Sequence, residues 1–314
     1  MNEKDVIQHF ISQQQFSSVA QGIGDDCAVL NISPNHQLVT TTDTMVEGRH
    51  FVKQSPPFEL GYKLVASSLS DIASMGANPK WATLSITLTE FNSLWLSKFS
   101  QGLLECAHNN NVALVGGDTT LGEQLALSLQ VLGEVPIAKA NLRNHAQVGD
   151  VIYVSGMIGC AAHALKHLQD NDFHHAALSQ EQISAFYRPP SRVAMAIELR
   201  DHIHACIDIS DGLLHELEIL CQQSHVGAKL NLEKIIIEEG IDSIAAITAG
   251  DDYELLFTAR QQSEQQISQI SSKFNCPLTA IGIITNNHQI ELFMNKEHVK
   301  YPGITGFDHF QSVS

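Results

Sequence analysis

Apolar positions along the chain follow two alternating periods. The helical period is clearest after Pro56-Pro57, where Leu60, Leu64, Leu69 and Ile72 form a stripe and predict a helix from about Phe58 to Met75. On another face of that helix Lys63, Ser67 and Asp71 follow at i, i+4 spacing, so Asp71 can point from a rigid element into a site. Asn92 caps a second helix carrying Trp95, Phe99, Leu103 and Cys106 at the same period. Further helices are predicted over Asp5 to Gln15, Cys160 to Leu168, the residues after Ser191, Leu213 to Cys221 and Ser263 to Phe274. Between them lie strand patterns: Ala28 to Ile32 and Leu38 to Thr42 around a Pro34-Asn35 turn, then Trp81 to Leu88, Val112 to Val115 and Gln124 to Val135. The second half adds Val151 to Val154, Ala205 to Ile209, Tyr253 to Thr258 and Ile281 to Ile284. Pro136 to Gly149 is polar, turn-rich and poor in core residues, which divides the chain into units 1–137 and 138–314. Both halves mix strands with helices, so the fold class is α/β.

Where apolar runs end, acids collect. Six short motifs set Asp beside Gly, Ser or Thr: Gly22-Ile23-Gly24-Asp25-Asp26, Thr41-Thr42-Asp43-Thr44, Ser70-Asp71, Gly116-Gly117-Asp118-Thr119, Asp208-Ile209-Ser210-Asp211-Gly212 and Gly250-Asp251-Asp252-Tyr253-Glu254. Any one of them alone reads more readily as a turn. Together they fit a shared site for hard, oxygen-seeking cations such as Mg²⁺, with Gly letting main-chain N–H groups approach a polyphosphate.

Composition narrows the classes. At 314 residues, 44% hydrophobic and 17% charged, the chain is expected to be a soluble globular protein with room for two domains. A formal net charge of −16 argues against non-specific binding to nucleic acid or an anionic membrane. The charged start Met1-Asn2-Glu3-Lys4-Asp5 precedes no apolar segment, and no run reaches the length of a membrane span, so a cytoplasmic protein is expected. Its six cysteines are dispersed without a Cys-x-x-Cys pair and read as reduced, mostly buried thiols. The sixteen His form no His-Glu-x-x-His motif, and His163 and His167 read as a solvated helix face, so zinc is not expected.

Standard nucleotide motifs are missing. There is no P-loop; Gly22-Ile23-Gly24 lacks the third glycine of a dinucleotide fingerprint, where Cys27 stands, and leads into a strand. Gly156 to Gly159 could hold a phosphate at a helix N-terminus or be an ordinary tight turn. No Gly-x-Ser-x-Gly elbow is present. The order of motifs nevertheless resembles the bacterial thiamine-monophosphate kinase family. The resemblance rests on Gly22 to Asp26, Thr42-Asp43-Thr44 with Gly48-Arg49-His50-Phe51, Leu69 to Ala77, Gly116 to Thr120, Ile207 to Leu213, Asp252-Tyr253-Glu254-Leu255 and Gly306-Phe307-Asp308-His309-Phe310. It runs in register from about Gly22 to Phe310, nearly the whole chain.

That resemblance implies an aminoimidazole ribonucleotide synthetase-like fold: an N-terminal domain whose sheet pairs with its twin's in a homodimer, and a C-terminal domain completing the site. It implies transfer of the ATP γ-phosphoryl group to thiamine monophosphate with several Mg²⁺ ions. Asp26, Thr41, Thr42, Asp43, Asp71, Asp118, Asp208 and Asp211 resemble the metal ligands; Gly117, Asp118, Arg143 and Ser210 resemble the ATP contacts. His50, Asp251 and Phe307 fall at the thiamine monophosphate contacts, with Asp251 replacing a Glu and Phe307 a Tyr or Trp. No general base is expected, because a phosphate acceptor with its second pKa near ~6 is already an anion at neutral pH. Two alternatives stay open at this point. One is a ligase of the same superfamily that activates an amide oxygen, and the other is a non-catalytic cation or nucleotide binder.

Overall fold

A computed structural model of the chain describes residues 3–11, 14, 16–170, 180–237 and 239–306. The first half opens with α1 (Glu3–Ile7) and the short strands β1 (Val19–Gln21) and β2 (Val29–Leu30). It continues through β3 (His36–Val46), α2 (Pro57–Ser74), β4 (Asn78–Leu88), α3 (Ser93–Asn109), β5 (Ala113–Leu121) and β6 (Ala126–Pro136). The second half runs β7 (Val151–Ser155), α4 (Cys160–Asp170), α5 (Gln180–Tyr187), α6 (Val193–Leu199), β8 (Ala205–Asp208), α7 (Leu213–Ser224) and β9 (Gly227–Asn231). It ends with α8 (Ser243–Thr248), β10 (Leu255–Ala259), α9 (Glu264–Phe274), β11 (Leu278–Thr285), β12 (Ile290–Met294) and β13 (Glu297–Val299).

Two sheets organise these elements. The first has the order β3-β6-β4-β5, the second β13-β12-β9-β11-β7-β10-β8. In the first sheet β4 and β5 are parallel and the other pairs antiparallel. Helices α2 and α3 cover one face, with Leu60, Leu64, Leu69, Ile72, Leu96, Phe99 and Leu103 buried against Leu84, Ile86, Leu127, Leu129 and Val131. Each such fully buried side chain contributes roughly 1.5–3 kcal/mol of transfer free energy. The same core continues into one face of the second sheet through Tyr153, Cys206 and Phe257, while α7 and α8 pack a separate core on its other face. α2 therefore lies between the two halves, touching β3, β8 and α6.

The other face of the first sheet is open along much of its length. Thr40, Thr42 and Thr44 of β3, Gln130 of β6 and Ser85 of β4 are exposed there. One end is covered, where Phe16, Val19, Ala28 and Leu30 pack on Trp81, Ala113 and Val115.

Three expected boundaries move. The predicted helix Asp5 to Gln15 shortens to α1 and a 3₁₀ turn over Gln8–Phe10, and positions 12, 13 and 15 lie outside the described residues. β3 does not stop at Thr42: β-branched Thr suits a pleated strand, and pairing with β6 is unbroken from His36 to Val46. Gly116-Gly117-Asp118 likewise lies inside β5 rather than after it, because a bulge at Val115 of β5, opposite the Ala82/Thr83 step of β4, absorbs the register change and pairing resumes through Leu121. β1, α5, β9, α8, β12 and β13 were not anticipated.

Candidate active site

Strand β3 and helix α2 from the first half, and the end of β8 from the second, bring acids together. Thr41 Oγ1 donates to Asp71 Oδ2 at 2.5 Å. Asp43, two residues along the same face of β3, has its carboxyl pushed up to about 6, first by burial and then by the charge of Asp71. Asp208, the last residue of β8, is buried and its carboxyl is raised well above the ordinary range. Burial is again the main cause, followed by Asp71, with Glu216 and Asp43 adding to it. Three carboxylates from three elements thus repel one another across one space. Beside them Ser70 Oγ is buried without a hydrogen-bond partner of normal geometry, although it lies near enough to Asp208 to favour that group's charged form.

This set fits Mg²⁺. Among the described residues no three His, Cys, Asp or Glu side chains converge closely enough to chelate one ion as they stand. Mg²⁺ does not require that, since it keeps several waters and takes one or two carboxylates together with substrate phosphates. Repelling acids and an orphaned hydroxyl are what a hydrated cation between Asp43, Asp71 and Asp208 would relieve.

The two motifs of the second half run side by side. Ile209 N–H donates to Glu254 O (2.7 Å), Tyr253 N–H to Ile209 O (2.8 Å) and Asp251 N–H to Ser210 O (2.7 Å). The close pass needs Gly250, where a Cβ would stand 2.2 Å from Ser210 O. Asp251 and Tyr253 take φ of 74° and 52°, which bends this segment and delays the strand, expected at Tyr253, until Leu255. Glu216 on α7 accepts long bonds from Ser210 Oγ and Asp211 N–H, both 3.3 Å. Its own carboxyl is raised, mainly by burial and partly by Asp211, while Arg143 and His215 oppose that rise. Arg143, exposed on the 3₁₀ turn Arg143–His145, therefore shares one locality with Ser210, Asp211 and Glu216.

Not every acid of these motifs faces the site. Asp252 is buried and takes the Gly159 N–H on both oxygens at 3.0 Å, and burial lifts it to about 8. The Gly156–Gly159 turn is thereby held by a carboxylate of this chain at the start of α4, which favours the ordinary-turn reading over a phosphate site. Glu254 is buried against Arg192 through two bonds of 2.6 and 2.5 Å. Gly156 is required there, since a Cβ would meet Glu254 Oε1 at 2.0 Å.

Asp251 is paired rather than bare. It forms a salt bridge with Lys63 of α2, a side chain only 3% exposed. The Lys63 ammonium also lies 3.8 Å from the Phe186 ring centroid and 5.9 Å from that of Tyr187. Tyr253 has its phenol raised by burial and then by Asp251, Asp43 and Asp208, so it stands between the acid cluster and the Lys63–Asp251 pair. Lys63, Tyr253 and Glu216 were absent from the expected site. Lys63 had a signal, its i, i+8 relation to Asp71, and Tyr253 stood inside one of the acidic motifs; Glu216 gave none.

The remaining expected residues separate. Period-two alternation puts Thr41 and Asp43 on the helix-covered face of β3 and Thr42 on the open face. Asp118 pairs in register with Ser85, which lines up with Ser128 and Thr44, so it too is on the open face. Thr44 and Ser128 are 2.8 Å apart there. β5 is three strands from β3, about 14 Å at ~4.8 Å per strand. Gly117, exposed on β5 with φ 156°, neighbours Asp118. Asp26 is exposed in the loop before β2, and among the described residues no hydrogen bond or ion pair ties its carboxylate to the cluster. His50 follows β3 directly; Val46 N–H donates to its Nδ1 at 2.9 Å, which fixes the ring. Phe307 lies outside the described residues. His163 and His167 are half-buried, not fully solvated; Cys27 is exposed, and all six cysteines are free thiols.

The two-sheet architecture, with an acid cluster where its halves meet, defines the AIR synthase-related class. The chain matches the AIR synthase related protein N-terminal domain over residues 24–135 and the corresponding C-terminal domain over residues 147–295. It is 39% identical over 320 residues to the thiamine-monophosphate kinase of Buchnera aphidicola subsp. Acyrthosiphon pisum, covering 98% of each chain. To that of Escherichia coli strain K12 it is 35% identical over 301 residues, covering 93% of this chain and 92% of the relative. The crystal structure of the enzyme from Stenotrophomonas maltophilia K279a superposes with a TM-score of 0.84 at 34% identity, covering 94% and 96% of the two chains. A structure of AaThiL complexed with AMPPCP and TMP gives 0.78 at 26% identity, covering 93% of each. The chain belongs to the thiamine-monophosphate kinase family, whose members are thiamine-phosphate kinase enzymes.

Proposed function

We propose that the chain transfers the γ-phosphoryl group of ATP directly to the phosphate of thiamine monophosphate, giving thiamine diphosphate and ADP. The observation that carries this reading is the mutually repelling set Asp43, Asp71 and Asp208, an anionic centre that needs cations to work. Mg²⁺ bound there would neutralise charge on the two phosphate partners as they approach. Asp43, Asp71 and Asp208, with the Thr41 hydroxyl, would hold it, and Asp211 follows three residues after Asp208 on the same segment.

The chain's own groups do the rest. Arg143 offers a fixed positive charge to the nucleotide phosphates next to Ser210. His50, its ring oriented by Val46 N–H, and Asp251, held by Lys63, line the acceptor side, with Phe307 as its aromatic member. A thiazolium ring is a permanent cation, which suits an acid and an aromatic face. No side chain is assigned as general base, because the acceptor oxygen is already ionised.

Asp26, Thr42, Gly117 and Asp118 join the metal and nucleotide set through assembly in this proposal. The open face of the first sheet, residues 1–137, is the surface two copies would cover, and Thr42 and Asp118 stand on it. Residues 138–314 complete the site from the other side. Incubating purified protein with ATP, Mg²⁺ and a panel of phosphorylated acceptors tests the function. Thiamine diphosphate formed from thiamine monophosphate alone supports it, and turnover of a different acceptor in its place refutes it.

A further inference from the structure

One helix reaches both ends of the site. Lys63 and Asp71 stand eight residues apart on α2, which separates them by about 12 Å along its axis. Asp71 meets Thr41 at the acid cluster, whereas Lys63 forms its salt bridge with Asp251 of the second half. No Gly or Pro interrupts the helix between them, so helical geometry fixes their separation.

The pair holds Asp251 from two sides. The Lys63 side chain is only 3% exposed and its ammonium lies 3.8 Å from the Phe186 ring centroid, while the Asp251 side chain keeps 32% of its surface open. The backbone of Asp251 is set as well. Its N–H donates to Ser210 O at 2.7 Å and its φ is 74°, a region that non-glycine residues rarely enter. The Tyr253 phenol lies within hydrogen-bonding reach of the same carboxylate, and burial with the surrounding acids keeps that phenol protonated, hence donating. An ionised carboxylate has about four lone-pair sites, so Lys63 and Tyr253 leave part of that capacity to the open side. Burying an ammonium is costly, and an apolar side chain of the same length would pack on Phe186 and Tyr187 without that cost. What an apolar side chain could not do is fix the carboxylate.

We propose that Lys63 is a positioning residue for the acceptor: its ammonium, backed by the Phe186 ring, holds Asp251 at a set distance from Asp71, so that the carboxylate meets the cationic ring of the acceptor. This rests on the proposed function, in which Asp251 lines the acceptor side. Lys63 is itself buried and acts through Asp251.

The test is steady-state kinetics of the full chain, with ATP and thiamine monophosphate varied separately, for wild type, Lys63→Met, Lys63→Arg, Asp251→Asn and the Lys63→Met/Asp251→Asn double variant. Thiamine monophosphate affinity is measured alongside by titration calorimetry, and a second acceptor carries an uncharged thiophene in place of the thiazolium. Lys63→Met is expected to raise KM for thiamine monophosphate about fivefold, equivalent to about 1 kcal/mol, and to leave KM for ATP within about twofold. The neutral acceptor should lose far less, so the preference for the cationic ring falls. Lys63→Arg keeps the cation and should recover part of the loss. The double variant should be no worse than Asp251→Asn alone, because Lys63 acts through Asp251. It carries no unpaired charge, so this comparison decides the matter if Lys63→Met fails to fold. An unchanged acceptor KM in Lys63→Met, equal rises for ATP and acceptor, equal losses for the cationic and neutral acceptors, or a double variant weaker than Asp251→Asn would each overturn the positioning role. Wild type that binds thiamine monophosphate without converting it refutes the proposed function instead, and the affinities then decide Lys63 by the same comparisons. Wild type that does not bind it overturns both.

Discussion

Replacing Asp43 by Asn should stabilise the metal-free protein while abolishing turnover. Asp43 has its carboxyl raised from 3.8 to about 6, by burial first and by Asp71 second. A raised carboxyl means the folded state binds protons more tightly than the unfolded chain. The contribution of Asp43 to stability is therefore least unfavourable at low pH and worsens as pH rises from about 4 through 6. A shift of about 2 units corresponds to ~3 kcal/mol lost by the folded state at neutral pH and above. Asn keeps the shape and removes the charge. Subtracting ~1 kcal/mol for a weaker polar contact with Ser68 leaves a net gain of ~2 kcal/mol, or roughly 4 °C in Tm for a chain of this size. The assay is thermal unfolding in EDTA at pH 8 and at pH 4. The Asn variant should melt higher at pH 8, the gap should nearly close at pH 4, and Mg²⁺ should stabilise wild type more than the variant. A variant that melts below wild type by the same margin at both pH values would refute the idea that Asp43 sits in a strained anionic cluster.

Three further outcomes follow from the same geometry. Asp71→Asn should eliminate kinase activity without unfolding the protein, and near-normal turnover at saturating Mg²⁺ would count against the multi-carboxylate centre. Asp251→Ala should raise the acceptor KM and also destabilise by roughly 2–3 kcal/mol, because it strands the Lys63 ammonium beside the Phe186 and Tyr187 rings. Asp251→Glu should be tolerated, and Lys63→Met with Asp251→Ala should recover much of the stability but not the acceptor KM; stability unrecovered in urea unfolding would contradict the pairing argument. Sedimentation should show a dimer of 34.4 kDa chains, and a fully active monomer at micromolar concentration would remove sheet pairing from the account.

Much of this was legible in the sequence, and the misses have physical causes. The stripe Leu60, Leu64, Leu69 and Ile72 placed α2, because burial of one helical face is a local pattern. Asp71 and Asp208, which the structure brings together, stand out in the sequence because acids beside small residues at element ends are also local. Thr41, Thr42 and Asp43 were grouped as one ligand set, yet a strand must send alternate residues to opposite faces, and only pairing over the full length of β3 revealed which face was which. Lys63 reaching Asp251 spans 188 positions in sequence and two domains. Nothing near either residue announces it. Asp252 and Glu254 looked like site acids but serve α4 and Arg192, a distinction set by tertiary partners alone. β9, β12 and β13 escaped because short strands mixing Lys, Glu and His carry little alternation.

The central claim is direct phosphoryl transfer to thiamine monophosphate, and a single-turnover reaction with γ-labelled ATP tests it most closely. With enzyme in excess over ATP, and both Mg²⁺ and thiamine monophosphate present, the label should appear in the terminal phosphate of thiamine diphosphate as ADP forms in equal amount. No labelled protein or inorganic phosphate should precede it. Label released as inorganic phosphate, or ADP formed at the same rate without thiamine monophosphate, would contradict the account.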